Sequence, residues 1–159
     1  MDDINFQLRR CTNGWSEAKL YINGDYHQFF LTHIFNDPLQ AICTATVLLA
    51  KGTNEVCFSW YDEPGQYDWK ITQAKSKADL LDVSIYEYEN MMGCDRQQDF
   101  TNKLMSEINF RVKRDFWLTL VALEIEKIAR LLTYPHYKRD RNPHTFPWQD
   151  FKELKQYLT

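Results

Sequence analysis

The sequence predicts an α+β fold in a single domain over residues 1–159, with a mainly antiparallel sheet of about five to seven strands. Helices should pack on one face of the sheet, and a short helix should end the chain. Apolar and polar residues alternate over several short segments, as in half-buried strands, while two longer segments repeat apolar residues at helical spacing. The length of 159 residues suits one domain with a buried core.

The predicted strands begin at the N-terminus. Alternation occurs in two segments, through Ile4, Phe6 and Leu8 and through Ala18, Leu20 and Ile22. Asn23-Gly24 then predicts a tight hairpin, because both residues tolerate a positive φ. A third strand should follow over about 26–34. Later strands are predicted through Val56, Phe58 and Trp60, through Tyr67, Trp69 and Ile71, through Leu81, Val83 and Ile85, and through Ile108, Phe110 and Val112. Residues 90–103 are polar and poorly patterned.

The first helix has clear start and stop signals. We expect Asp37 to cap its N-terminus, Pro38 to take the first helical position, Gln40 to complete a capping box and Gly52 to end it.

A second helix is predicted from Phe116 to Leu132, with Asp115 as its cap. The last helix should pass through Phe151, Leu154 and Leu158. Both carry an apolar stripe, which indicates that they pack on the sheet.

Charge is distributed unevenly. Residues 1–100 carry 8 Lys and Arg against 15 Asp and Glu, whereas residues 101–159 carry 11 against 7. The acidic part is unsuited to nucleic acid.

No signal-like N-terminus and no run of 18 apolar residues occurs, so we expect a cytoplasmic protein without a membrane partner. Its cysteines form no C-x-x-C pair and are predicted to be reduced, with Cys43 and Cys57 in the core.

The segment WYDEPGQYDW, residues 60–69, is predicted to be a hairpin. Pro64-Gly65 suits a type II turn with a positive φ at Gly65. The aromatic side chains of Trp60, Tyr67 and Trp69 should then pack the sheet. Asp62 and Glu63 at the tip have two interpretations, a solvated turn or a site that binds a cation or transfers protons, and turn chemistry is favoured.

A second candidate segment is DVSIYEYE, residues 82–89. If Leu81, Val83 and Ile85 face the core, then Tyr86 and Tyr88 lie on the other face, with Glu87 and Glu89 at the fraying end of the strand. Tyrosines among carboxylates suit a protein-binding surface. The alternative is an ordinary solvated sheet face.

Other chemistries lack their residue patterns. His27 and His33 are too far apart along a strand to share a metal ion, and His136 and His144 lack partner ligands at useful spacing. No short catalytic or phosphate-binding motif occurs. The basic loop over 134–147 is interrupted by acidic residues. We therefore expect no metal, no cofactor, no catalytic residue and no nucleic-acid partner.

A family resemblance adds to these observations. Glu63, Pro64, Gly65, Tyr67 and Trp69 match an E-P-G-x-Y-x-W hairpin, and Phe146-Pro147 matches a late F-P before a short helix. In these features the chain, over about 35–158, resembles an uncharacterised bacterial family that is similar to immunity proteins of polymorphic toxin systems. The resemblance implies a cytosolic protein that binds and blocks a toxin domain, and it supplies no catalytic residues. The basic loop before Phe146 departs from the family pattern.

Together these observations favour a non-enzymatic immunity-type protein. The residues predicted to contact the toxin are Asp62, Glu63, Tyr86, Glu87, Tyr88 and Glu89. The alternative is a small enzyme or ligand-binding protein with an acidic and aromatic pocket between helix and sheet, using Asp62, Glu63 or His33 as acid or base. A third possibility is a dimerisation module with a self-complementary apolar patch.

Overall fold

The computed structural model describes residues 1–90 and 102–157. Within these residues, seven strands form two antiparallel sheets, accompanied by four α-helices and a 3-10 turn at Pro143–Thr145. In chain order the elements are β1 (Ile4–Arg10), β2 (Trp15–Ile22), β3 (Asp25–Thr32), α1 (Pro38–Ala50), β4 (Glu55–Tyr61), β5 (Gln66–Gln73), β6 (Leu80–Tyr88), β7 (Leu104–Lys113), α2 (Arg114–Leu131), α3 (Pro135–Lys138) and α4 (Trp148–Lys155). The predicted α+β class is confirmed.

The first sheet has the order β1-β2-β3 and follows the predicted alternation. Every second residue of β1 is buried, starting with Ile4, and the residues between them are exposed. The hairpin at Asn23-Gly24 is confirmed, since both residues have a positive φ, 52° and 93°, and Ile22 pairs with Asp25 across it. These two φ values fit the two-residue turn that joins twisted antiparallel strands.

The helix α1 begins at its predicted cap. The carboxylate of Asp37 accepts hydrogen bonds from the backbone N–H groups of Leu39 (2.9 Å) and Gln40 (3.3 Å). Gly52 ends the helix with a φ of 94°. The expected capping box is wrong, because the Gln40 amide turns away and donates instead to Thr44 Oγ1 at 2.9 Å.

The second sheet has the order β4-β5-β6-β7 and shares no strand pairing with the first among the described residues. The sequence predicted one sheet, whereas β3 and β4, which α1 connects, are not paired with each other. The two sheets meet instead through side chains. The ring of Phe29 lies 5.8 Å from that of Trp60, 4.9 Å from that of Tyr67 and 6.2 Å from that of Trp69, measured between centroids. All four side chains are buried, so one core serves both sheets.

The helix α2 packs against both sheets through Trp117, which is fully buried. Its ring contacts Phe6 of the first sheet and both Trp69 and Phe110 of the second, with centroid distances of 5.6, 6.2 and 6.0 Å.

The predicted start of α2 is wrong by two residues. Strand β7 runs directly into the helix, so the strand's last residue, Lys113, takes the cap position and no side chain caps it. Asp115 therefore lies inside the first turn. The backbone N–H of Arg114, at the first helical position, donates instead to the carbonyl of Asp79, at 2.8 Å.

The C-terminal helix α4 packs on the core through Phe151 and Leu154, as predicted. Leu158 lies outside the described residues, as do Cys94 and most of the poorly patterned segment, 91–101. No helix of the described part of the chain has both the length and the apolar character that a membrane crossing requires.

The two cysteines predicted to be core residues differ. Cys43 is buried, and burial raises the pKa of its thiol to about 12. Cys57 is exposed, which corrects the prediction. It alternates with Val56 and Phe58 and therefore lies on the outer face of the second sheet, which is lined by polar side chains such as Glu55 and Lys70.

Candidate functional site

The tip of the β4–β5 hairpin differs from the predicted type II turn. The Glu63–Pro64 peptide bond is cis, and the positive φ belongs to Glu63 (45°) instead of Gly65. The turn closes with a hydrogen bond from Asp62 N–H to the Gly65 carbonyl at 3.2 Å. A Cβ atom at Gly65 would lie 2.3 Å from Asp62 Oδ1. Gly65 is therefore required for the close approach of the Asp62 carboxylate, and not for its backbone angle.

Behind this tip, Tyr67 joins two carboxylates, one from the β4–β5 turn and one from β6. Its hydroxyl donates to Asp62 Oδ2 at 3.0 Å, and Glu87 is its neighbour across the β5–β6 ladder. Burial is the main cause that raises the pKa of Tyr67 above its ordinary value, and the charges of Asp62 and Glu87 act in the same direction. The phenol therefore keeps its proton and serves as a donor beside both carboxylates. Ser106 on β7 also donates to Glu87, at 2.5 Å.

Two further carboxylates lie at this end of the second sheet, and both are exposed. Glu63 accepts a hydrogen bond from Thr32 Oγ1 at 3.3 Å, so the hairpin tip lies over the end of β3. Glu89 follows β6, and its backbone N–H donates to the Lys103 carbonyl at 3.0 Å. We call Asp62, Glu63, Glu87 and Glu89 the acidic end.

The acidic end lacks internal neutralisation. Within residues 1–90 and 102–157, no Lys, Arg or His forms an ion pair with any of its four carboxylates. Elsewhere in the described residues, some carboxylates, such as Glu55, Asp82 and Glu126, have a cation within 4.0 Å, and others, such as Asp79, have none. Glu63 and Glu89 are exposed and direct their charge to the solvent, whereas Asp62 and Glu87 are half-buried, and Asp62 Oδ1 is buried without a hydrogen-bond partner among the described residues.

Tyr86 and Tyr88 lie on the outer face of β6, as predicted, opposite Asp68 and Gln66 of β5. Glu87 does not lie at a frayed end, which corrects that prediction. The strand continues to Tyr88, and Glu87 points toward the core side beside Tyr67, with a register shift between Glu87 and Tyr88. The six predicted contact residues thus share one end of the sheet but are distributed over its two faces.

Sequence reasoning missed four exposed apolar side chains beside the hairpin tip, which we call the aromatic patch: Trp15, Phe30, Ile34 and Phe35. The signal was present in Phe29-Phe30, since two successive aromatic residues of a strand must point to opposite faces. Phe29 is buried at 2% exposure, and Phe30 is 55% exposed.

The predicted acid or base His33 lies in a buried polar network. Ser16 Oγ and His33 Nε2 are 2.7 Å apart, and His33 Nδ1 lies 3.9 Å from Asp37 Oδ2. This order of residues resembles that of a hydrolytic triad, but Ser16 is only 1% exposed and Asp37 is engaged as the helix cap. Burial is the main cause that lowers the pKa of His33 below its ordinary value.

Arg10 completes this network and is itself 2% exposed. Its Nη1 lies 3.3 Å from Asp37 Oδ2, and its Nη2 donates to the Asn142 carbonyl at 3.1 Å and to Thr145 Oγ1. The network therefore ties β1 to the start of α1 and to the basic loop. Arg141 of that loop also forms a hydrogen bond within the chain, because its Nε donates to the Arg10 carbonyl at 2.8 Å.

The alternative function expects a pocket between helix and sheet, and the two sheets differ in this respect. Trp60, Trp69 and Trp117 fill the space beneath the second sheet. A cavity of about 310 Å³ does lie between the first sheet and α2, where Arg9, Glu17 and Lys127 contribute to its wall. None of Asp62, Glu63 and His33 lines that cavity.

No group of three or more His, Cys, Asp and Glu side chains in the described residues is arranged to hold a metal ion. Comparison with protein-family models, with curated proteins and with solved structures gives no significant match. The functional argument therefore depends on the residues of this chain.

Proposed function

We propose that this protein is a non-enzymatic immunity-type protein of the cytoplasm that binds a bacterial toxin domain and covers its active site. The observation that carries the proposal is the acidic end, whose four carboxylates have no cation partner within the described residues. Charged groups left without internal partners on an exposed surface attract a partner of opposite charge. A toxin that acts on nucleic acid or another anionic substrate needs a basic active-site surface, which such an acidic end would complement.

The hydrogen bonds behind the acidic end support the same proposal. Tyr67 holds Asp62, and Ser106 holds Glu87, so these two carboxylates are oriented before any partner arrives. Preorganised groups lose less conformational entropy on binding than freely rotating ones. Tyr86 and Tyr88 add contact area on the adjoining outer face, where tyrosine supplies both apolar contact and a hydroxyl.

A cytoplasmic location is part of this proposal. The three described cysteines are free thiols, as is usual where the surroundings are reducing. The protein would then meet the toxin after its entry into the cell or after its synthesis there.

Co-expression with the product of the gene immediately upstream tests the proposal. We expect the two proteins to purify as a complex and the immunity-type protein to rescue growth. The double variant Glu63→Lys/Glu89→Lys should weaken the complex about tenfold or more, because both side chains are exposed and reversal replaces attraction by repulsion.

The matched control is Asp79→Lys, since Asp79 is exposed and lies before β6, at the opposite end of that strand. It should leave the affinity and the growth rescue unchanged. A wild-type protein that neither binds the upstream product nor rescues growth would contradict the proposed function. Equal weakening by all charge reversals would indicate a non-specific effect of net charge and would also count against the acidic end.

A further inference from the structure

The aromatic patch has no role in the proposed function as stated above. Ile34 is 74% exposed and Phe30 55%, and the patch also includes Phe35 at 47% and Trp15 at 37%. Single exposed apolar residues are ordinary on a protein surface, whereas clusters of large ones mark interaction sites.

The members of the patch lie close together because of strand pairing. Trp15 on β2 pairs with Thr32 on β3, and Phe30 lies two residues before Thr32 on the same face. Diagonal neighbours of this kind have Cα atoms about 7–8 Å apart, a distance within the reach of large aromatic side chains. Ile34 and Phe35 follow directly after β3, and the Phe35 ring lies 5.5 Å from the ring of Tyr61 on β4.

The patch borders the acidic end through a single residue. Thr32, which pairs with Trp15, also donates its hydroxyl hydrogen bond to Glu63. An exposed carboxylate without a cation partner among the described residues therefore lies at the edge of an exposed apolar cluster. This combination of an apolar centre and a charged rim is the usual anatomy of a protein interface.

We infer that the aromatic patch is the apolar anchor of the partner interface and takes an apolar protein segment flanked by Lys or Arg. This inference rests on the proposed function, because it describes the chemistry of the same partner. Trp15, Phe30 and Phe35 supply the buried contact that limits dissociation, while Glu63 pairs with the flanking cation. Aromatic residues at the centre of an interface commonly dominate its binding energy, with charged rims affecting mainly the association rate.

Charge complementarity favours a cationic partner. Glu63 lies at the edge of the patch and has no cation partner among the described residues. A partner with Lys or Arg beside its apolar contact supplies that cation.

A random peptide library displayed on phage tests the inference without any toxin. We expect selection on the full-length protein to yield peptides with aromatic or large aliphatic residues next to Lys or Arg. Synthetic copies of these peptides should bind Phe30→Ser and Phe35→Ser about tenfold more weakly than the wild type, measured by fluorescence anisotropy. Glu63→Gln should weaken binding less and reduce its dependence on salt.

Leu123→Ser is the matched control, because Leu123 is 54% exposed on α2 and lies outside the patch. It should bind the peptides as the wild type does, and thermal unfolding should confirm that all variants are folded. The inference is overturned if no peptides are selected, if they bind the patch variants normally, or if they lack cations. Light scattering that gives a dimer in the wild type and a monomer in Phe30→Ser would also overturn it, in favour of a second copy. Since the upstream gene product is not used, these outcomes are distinct from failure of the proposed function.

Discussion

The acidic end and the network around Arg10 concentrate charge in opposite ways. In the network, a guanidinium with 2% exposure lies 3.3 Å from the carboxylate of Asp37, and further hydrogen bonds tie Arg10 to Asn142 and Thr145. At the acidic end, Asp62 and Glu87 share Tyr67 as a neighbour, and no cation of the described residues pairs with either. Internal neutralisation therefore marks the network as structural, whereas the acidic end, which lacks it, is the surface that we propose for a partner.

The largest expected effect comes from breaking the network. Arg10→Met should lower the free energy of unfolding by about 3–5 kcal/mol, because it leaves the partly buried Asp37 carboxylate without its cation. Denaturant unfolding monitored by circular dichroism measures this loss. The control is Arg139→Met, since Arg139 is exposed and its side chain has no partner among the described residues. Equal stability of both variants would show that the network does not hold the fold.

A smaller effect is expected at the acidic end. Tyr67→Phe removes only the hydroxyl, and the ring stays packed 4.9 Å from that of Phe29. We expect a loss of about 1–2 kcal/mol in the free energy of unfolding, because the hydrogen bond has a charged acceptor in Asp62.

A double-mutant cycle sharpens this second prediction. Asp62→Ala combined with Tyr67→Phe should cost less than the sum of the single changes, because both remove the same hydrogen bond. Tyr134→Phe is the control, since Tyr134 is 55% exposed and should tolerate loss of its hydroxyl. Strict additivity of the costs would mean that Tyr67 does not hold Asp62 in place.

The sequence predicted best what short segments determine by themselves. The turn at Asn23-Gly24 and the cap at Asp37 depend on residues within a few positions, and both were confirmed. Asp115 was a wrong cap because β7 continues into α2 without a loop, which no local signal announces. The alternation of β4 already indicated that Cys57 and Val56 lie on different faces of the sheet. Val56 faces the core, and Cys57 lies on the uncovered outer face, where it is exposed.

The candidate site depended on contacts that are distant in sequence. Asp62 and Glu87 meet at Tyr67 only because β5 lies between β4 and β6 in the sheet. Trp15 and Phe30 are neighbours only through the register of β2 and β3. Residue types alone indicated Asp62, Glu63 and residues 86–89 as candidates. The register of strand pairing was needed to show which of them lie on the same face of the second sheet.

The smallest effect concerns pH and again separates the two regions. Ser16, Asp37 and Arg10 face His33 in the network, and burial lowers its pKa below the ordinary value of about 6.5 that it has when unfolded. Between these two pKa values the unfolded chain binds the additional proton. The free energy of unfolding should therefore rise with pH in that window and fall as the pH drops below about 6.5.

The slope assigned to His33 should stay under the one-proton limit of about 1.4 kcal/mol per pH unit. His33→Gln should remove it, because glutamine does not titrate, while other groups keep their contributions in both proteins. Denaturant unfolding of wild type and variant from about pH 5 to 8 measures the difference. A wild-type slope that persists unchanged in His33→Gln would show that His33 takes up its proton equally in the folded and unfolded states. The network would then be neutralised by Arg10 and Asp37 alone, and the contrast with the acidic end would rest on that one ion pair.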